Sequence, residues 1–272
     1  MPMAAVGSVR LYYELRGRGP PLLLIMGATG DAGHFATVAD DLADDLTVVT
    51  YDRRGNSRSM RRAGWSTTTV EEQADDAAGL LRALQLAPAA VFGTSSGAIC
   101  ALSLLIRHPE LVRTAILHDP PMLSVIEQGD DVLAAIAQSV DAGIAAGGPP
   151  AGLERFWRFV AGDLNWEALD PDLRERMLGN SETFLNIERT LESYRPDDAT
   201  LAAIAVPVQV LLSDESPAFI ADIAEWLASR LGIKVSSTPG THTPYQDHPR
   251  ALAETIRSFL ARSGMPPMPA GD

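Results

Sequence analysis

Short apolar runs alternate along most of this chain with longer stretches whose apolar residues recur at helical spacing. Residues 47–51, 89–92, 114–117, 208–212 and 234–237 are bounded by turn residues and are mostly apolar at every position. A strand covered on both faces needs that continuous pattern, whereas a half-exposed strand alternates. Residues 3–6 and 9–15, separated by Gly7-Ser8, predict an opening antiparallel hairpin, and residues 22–26 follow Pro20-Pro21 as another strand. Amphipathic segments at 34–43, 69–84, 98–108 and 217–231 fall between the strands, which predicts an α/β fold: an eight-stranded, mostly parallel sheet with helices on both faces.

The alternation stops between residues 121 and 206. That interval carries helical segments at 132–146, 153–161 and 181–194, with Gly147-Gly148-Pro149-Pro150 as a loop among them, and no convincing strand. The division expected is a core of residues 1–120 and 207–262, a helical cap of residues 121–206 inserted after the sixth strand, and a flexible tail at 263–272.

Composition narrows the choice of partner. The chain has 272 residues, 46% of them hydrophobic, which is ample for a large core, and its 22 Lys and Arg against 35 Asp and Glu give a net charge of −13. Such a surface repels nucleic acid and anionic lipid, so a small-molecule substrate is expected, with no nucleic acid and no membrane partner. The N-terminal residues lack the basic and apolar regions of a signal peptide and no run approaches a membrane span, so a cytoplasmic location is expected. The single cysteine, Cys100, lies among Ala101, Leu102 and Leu104 and reads as packing. No metal-ligand spacing or nucleotide loop is found, so no cofactor and no metal are implied; oligomeric state stays open.

The chemistry is carried by Gly93-Thr94-Ser95-Ser96-Gly97, a G-x-S-x-G motif between the apolar run 89–92 and the helical stretch 98–108. A strand that turns sharply into a helix leaves room only for small residues two places either side of the serine and forces that serine into an exposed, strained conformation. Ser95 is the candidate nucleophile. With the order of elements and the insertion, this motif resembles the α/β-hydrolase fold with a helical cap. The segment 22–27 resembles the family's His-Gly turn with Met26 at the usual histidine, and residues 52–59 resemble its D-x-R-G-x-G-x-S loop with Ser57 in place of a glycine.

The resemblance implies the partners of Ser95. A serine hydroxyl needs a base within reach and an acid to orient that base. In this fold the histidine follows the last strand, which points to His242, with His248 read as structural and His34 as a residue that could line the pocket. The acid usually follows the seventh strand, where the alignment puts Ser216. Asp119, after the sixth strand, and Asp214 are the two replacements, and Asp119 is favoured. The oxyanion donors implied are the backbone N–H groups of Ala28 and Ser96.

These residues imply a cofactor-independent serine hydrolase acting on a small, largely apolar ester or lactone through an acyl-enzyme, with Phe156, Trp157, Phe159, Trp166 and Phe184 of the cap as pocket or packing residues. Two alternatives stay open: a non-hydrolytic or carbon–carbon-bond-cleaving enzyme of a natural-product pathway, and a ligand-binding or sensor protein with little turnover.

Overall fold

The computed structural model describes residues 1–59 and 64–264, apart from the side chains of Arg189 and Thr190. Eight strands form one sheet: β1 (Met3–Val6), β2 (Val9–Arg16), β3 (Pro21–Ile25), β4 (Thr47–Tyr51), β5 (Ala89–Thr94), β6 (Val112–His118), β7 (Val208–Ser213) and β8 (Ser236–Thr238), in the order β1-β2-β4-β3-β5-β6-β7-β8. The β1/β2 and β2/β4 pairs are antiparallel and all others parallel. The central strands supply alternate side chains to two cores: Leu23, Ile25, Ala89 and Val91 to one, Leu22, Leu24, Ala90 and Phe92 to the other. That two-residue period explains why these runs are apolar at every position.

The helices are α1 (Ala36–Leu42), α2 (Val70–Leu84), α3 (Ser96–Arg107), α4 (Gly129–Ala161), α5 (Asp163–Ala168), α6 (Pro171–Gly179), α7 (Ser181–Asn186), α8 (Asp198–Ala202), α9 (Ala218–Leu231), α10 (Pro244–Asp247) and α11 (Pro249–Arg262). Helices α1 and α11 cover one face of the sheet, and α2, α3 and α9 the other. The expected helix at 34–43 is divided: a 3₁₀ turn, Ala32–Phe35, precedes α1 because the Asp31 side chain caps it. The expected strand 234–237 lies two residues later, at Ser236–Thr238. The expected tail passes, beyond Gly264, outside the described residues.

Helices α4 to α8 fill the interval between β6 and β7. The expected loop at Gly147-Gly148 is a sharp break within α4, where Gly148 takes φ 76°, ψ −169°. Its two arms fold back on each other at Gly143 and Gly152. A Cβ on Gly143 would stand 2.8 Å from the Gly152 Cα, so only glycine permits this approach. No described helix is long and apolar enough to cross a membrane.

Candidate active site

Strand β5 ends in a sharp turn into α3. Ser95 has φ 54° and ψ −131°, a conformation that a non-glycine residue holds only when its surroundings over-determine it. Its N–H donates to the His118 carbonyl at 2.9 Å. A Cβ on Gly93 would lie 2.3 Å from the Gly97 carbonyl oxygen, and one on Gly97 would lie 2.3 Å from the Ile25 oxygen. Both glycines are therefore demanded by space, and they let the Ser95 side chain stand at the mouth of α3.

Across from it, the loop after β8 presents His242, with 7% of its surface exposed. His242 Nδ1 is 2.9 Å from Asp119 Oδ2, and both side chains are buried. Asp119 closes β6 with φ 47°, again a strained conformation. Its carboxylate also accepts from the Ser213 N–H at 3.2 Å and from the Ser216 hydroxyl. Burial works against the charge on Asp119, but the imidazoles of His118 and His242 and the hydroxyl of Ser216 hold its carboxyl below the usual carboxylate value. Ser216, at the position where the alignment put an acid, thus touches Asp119. Asp214 is exposed, and its N–H donates to the Thr238 carbonyl oxygen at 3.0 Å.

His118 completes the buried group. Its Nδ1 is 2.8 Å from Thr94 Oγ1, its Nε2 is 2.9 Å from Ser213 Oγ, and its ring stacks on Phe92. Complete burial pushes its pKa down to about 4, against the pull of the Asp119 carboxylate, so at neutral pH it is an uncharged ring spanning two hydroxyls.

Ser95 and His242 line two lobes of one cavity. One lobe is bounded by Pro121, Leu123, Ile136, Val160, Phe219 and Ile220 and is almost wholly apolar, with Glu192 as its single charged residue. The other is bounded by Met26, Gly27, Ala28, Trp157, Thr243 and Tyr245. Phe156 and Val160 border both. Trp166 and Phe184 are buried behind this wall, Phe184 with its ring centroid 4.4 Å from that of Phe156, while Phe159 faces solvent. His34 is buried in the 3₁₀ turn, where its Nδ1 accepts from the Asp31 N–H, and it borders neither lobe. His248 is half exposed beside Asp247. Ala28 lies in the loop after β3, and Ser96 is the first residue of α3, a position whose N–H has no partner within the helix.

Two groups of contacts escaped the sequence reading. Asn165 Nδ2 of α5 lies 2.7 Å from Thr241 Oγ1, 2.9 Å from Thr243 Oγ1 and 3.0 Å from Asp247 Oδ2, so its two N–H groups are shared among acceptors on both sides of His242. Asn180, at the end of α6, meets Ser57, which has φ 44° where glycine would be at ease: the Ser57 N–H donates to Asn180 Oδ1 at 2.7 Å and Asn180 Nδ2 donates to Ser57 Oγ at 3.0 Å. Neither asparagine belongs to a local motif.

The chain and its fold are similar to those of known proteins. Residues 20–224 fit the family model described as the alpha/beta hydrolase fold. The chain belongs to that family. An uncharacterised hydrolase, YraK of Bacillus subtilis, is 34% identical to this α/β-hydrolase-fold protein over 269 residues, 94% of each chain. A zearalenone hydrolase of Bionectria ochroleuca is 26% identical over 263 residues, 92% of this chain and 93% of its own. Among solved structures of the fold, a thermophilic esterase from Thermogutta terrifontis superposes with a TM-score of 0.77 at 22% identity, covering 96% of this chain and 98% of its own.

Proposed function

We propose that this hydrolase of the α/β fold is a serine hydrolase that cleaves a small, largely apolar ester or lactone through an acyl-enzyme, without a cofactor. The observation that carries the reading is the meeting of strained Ser95 and Asp119-bonded His242 on a single cavity. Relatives named as hydrolases support hydrolysis as the reaction class.

In this reading the Ser95 hydroxyl attacks the substrate carbonyl carbon while His242 Nε2 takes its proton. The Asp119 carboxylate accepts from His242 Nδ1–H, so it fixes the tautomer with a free Nε2 and stabilises the imidazolium. The carbonyl oxygen becomes an oxyanion held by the N–H groups of Ala28 and Ser96. Collapse returns the His242 proton to the leaving alkoxide, and water then attacks the acyl-Ser95 ester with His242 again as base. A lactone follows the same course, its alkoxide remaining tethered to the acyl group.

The helices of residues 121–206 act as a cap, since Phe156, Trp157 and Val160 of α4 border the cavity and Asn165 and Asn180 tie the cap to the core. The nearly apolar lobe favours an acyl or alkyl group over an anionic one, because an anion there would lose its hydration beside Glu192 with little in return. The test is hydrolysis of a panel of p-nitrophenyl acyl esters and γ- and δ-lactones by the wild type and by Ser95→Ala. Turnover of apolar members that vanishes in Ser95→Ala is expected. Turnover that survives the substitution would sink the assignment.

A further inference from the structure

Beneath the elbow lies an ion pair that the acyl-transfer reading does not use. Arg53, which follows β4, and Glu188, in the 3₁₀ turn after α7, both have fully buried side chains, with Arg53 Nη2 3.2 Å from Glu188 Oε2. Glu188 Oε1 accepts from Asn56 Nδ2 at 2.9 Å, so the carboxylate is held at both oxygens. The guanidinium is served less well. Its Nε and Nη1 find no hydrogen-bond acceptor among the described residues, and Nη2 alone meets Glu188, the Gly27 carbonyl oxygen at 3.1 Å and Ser96 Oγ at 3.4 Å.

A buried ion pair is a poor source of stability, because desolvation consumes most of its Coulombic attraction. Apolar side chains of similar volume fill such sites as well or better. The placement of Nη2 is better explained by what it touches. A peptide is planar and trans, so its C=O and N–H point in opposite directions. A donor fixed on the Gly27 oxygen therefore aims the Ala28 N–H away from Arg53, into the lobe shared with Ser95. The same peptide passes directly over the elbow, since a Cβ on Gly27 would lie 2.9 Å from the Ser95 Cβ. A positive charge against the carbonyl oxygen also polarises the peptide, making its N–H a stronger donor.

We propose that Arg53 is a positioning residue that aims and polarises the Gly27–Ala28 peptide as an oxyanion donor, and that Glu188 of the inserted helices holds it in that position. The inference rests on the acyl-transfer reading above. It adds that the insertion completes the oxyanion site through Glu188 as well as walling the cavity, so a change in the insertion is felt in kcat.

The experiment compares wild type, Arg53→Met and Glu188→Gln. Sites are counted on one aliquot by complete labelling with a fluorophosphonate, and kcat and KM per active site are measured on a second, unlabelled aliquot with a p-nitrophenyl ester that the wild type hydrolyses. Arg53→Met is expected to lower kcat per site by about 10- to 100-fold, up to what the loss of one oxyanion donor costs elsewhere, with KM within about threefold of wild type. The fluorophosphonate labelling rate should fall in parallel, because its phosphoryl oxygen occupies the same donors. A clamp of purely structural value would lower melting temperature or the fraction of labelled sites and leave kcat per site unchanged, and that result overturns the proposal. If Arg53→Met does not fold, Glu188→Gln decides. Its guanidinium is no longer held by charge, so kcat should drop by about three- to tenfold at constant KM, and wild-type kcat there overturns the proposal. A wild type that neither labels nor turns over esters would fault the parent reading instead.

Discussion

His118 makes the folding free energy of this protein depend on pH in a calculable way. In the unfolded chain an imidazole takes up a proton near its ordinary pKa of 6.5, but in the folded protein burial holds His118 at about 4, with the Asp119 carboxylate pulling the other way. Below pH 6.5 the unfolded state therefore binds more protons at this site than the folded state. Stability from His118 is fully present above 6.5 and is lost progressively as pH falls towards 4. A shift of this size corresponds, by linkage, to a loss of about 2 kcal/mol between pH 7 and pH 5. The side chain is wholly buried, so solvent screening does not reduce the effect.

The assay is equilibrium urea unfolding at pH 7 and pH 5, on the wild type and on His118→Gln, which is uncharged at both values. Glutamine will alter stability through its different shape at both pH values alike. The informative quantity is therefore the pH-dependent difference, in which titrations at sites distant from His118 cancel. In the wild type the Asp119 carboxyl is held below the usual carboxylate value and stays ionised over this window. The wild type should lose about 2 kcal/mol more than the variant. Equal losses, or a greater loss in the variant, would show that His118 takes up its proton in the folded protein at least as readily as in the unfolded chain and would refute its reading as a ring kept neutral by burial.

Asp119→Asn should lower kcat by about 10⁴-fold, since an amide favours the wrong imidazole tautomer, while Asp214→Asn should leave kcat near wild type. The reverse pattern in ester turnover would move the acid to Asp214. Asn165→Ala should lower kcat by about tenfold without a matching loss of melting temperature, because it frees the loop on both sides of His242 and a small misplacement of a catalytic group is costly. A change in KM alone would make Asn165 a substrate-binding residue.

The sheet could be read from the sequence because its central strands are buried on both faces and so carry unbroken apolar runs. Strand β8 was placed two residues early because it lies at the edge, where burial imposes less pattern on Lys234 and Val235. The elbow was legible because crowding against Ile25 and Gly97 permits only glycine at positions 93 and 97. The acid stayed divided between Asp119 and Asp214 because the contact with His242 spans 123 residues of sequence and depends on the ends of β6 and β7 lying side by side. Ser216 at the usual acid position has its counterpart in space, where its hydroxyl meets the carboxylate that β6 supplies. Glu188 and Asn165 gave no signal, since a helix-borne polar residue reads as solvent-facing until tertiary packing buries it.

The claim on which the account rests is that Ser95 is an activated nucleophile. Intact mass spectrometry after treatment with a fluorophosphonate, on wild type and Ser95→Ala, tests it most directly. One phosphonyl adduct per chain in the wild type, absent from Ser95→Ala, is the predicted result. No adduct on the folded wild type, or an adduct that persists in Ser95→Ala, would contradict it.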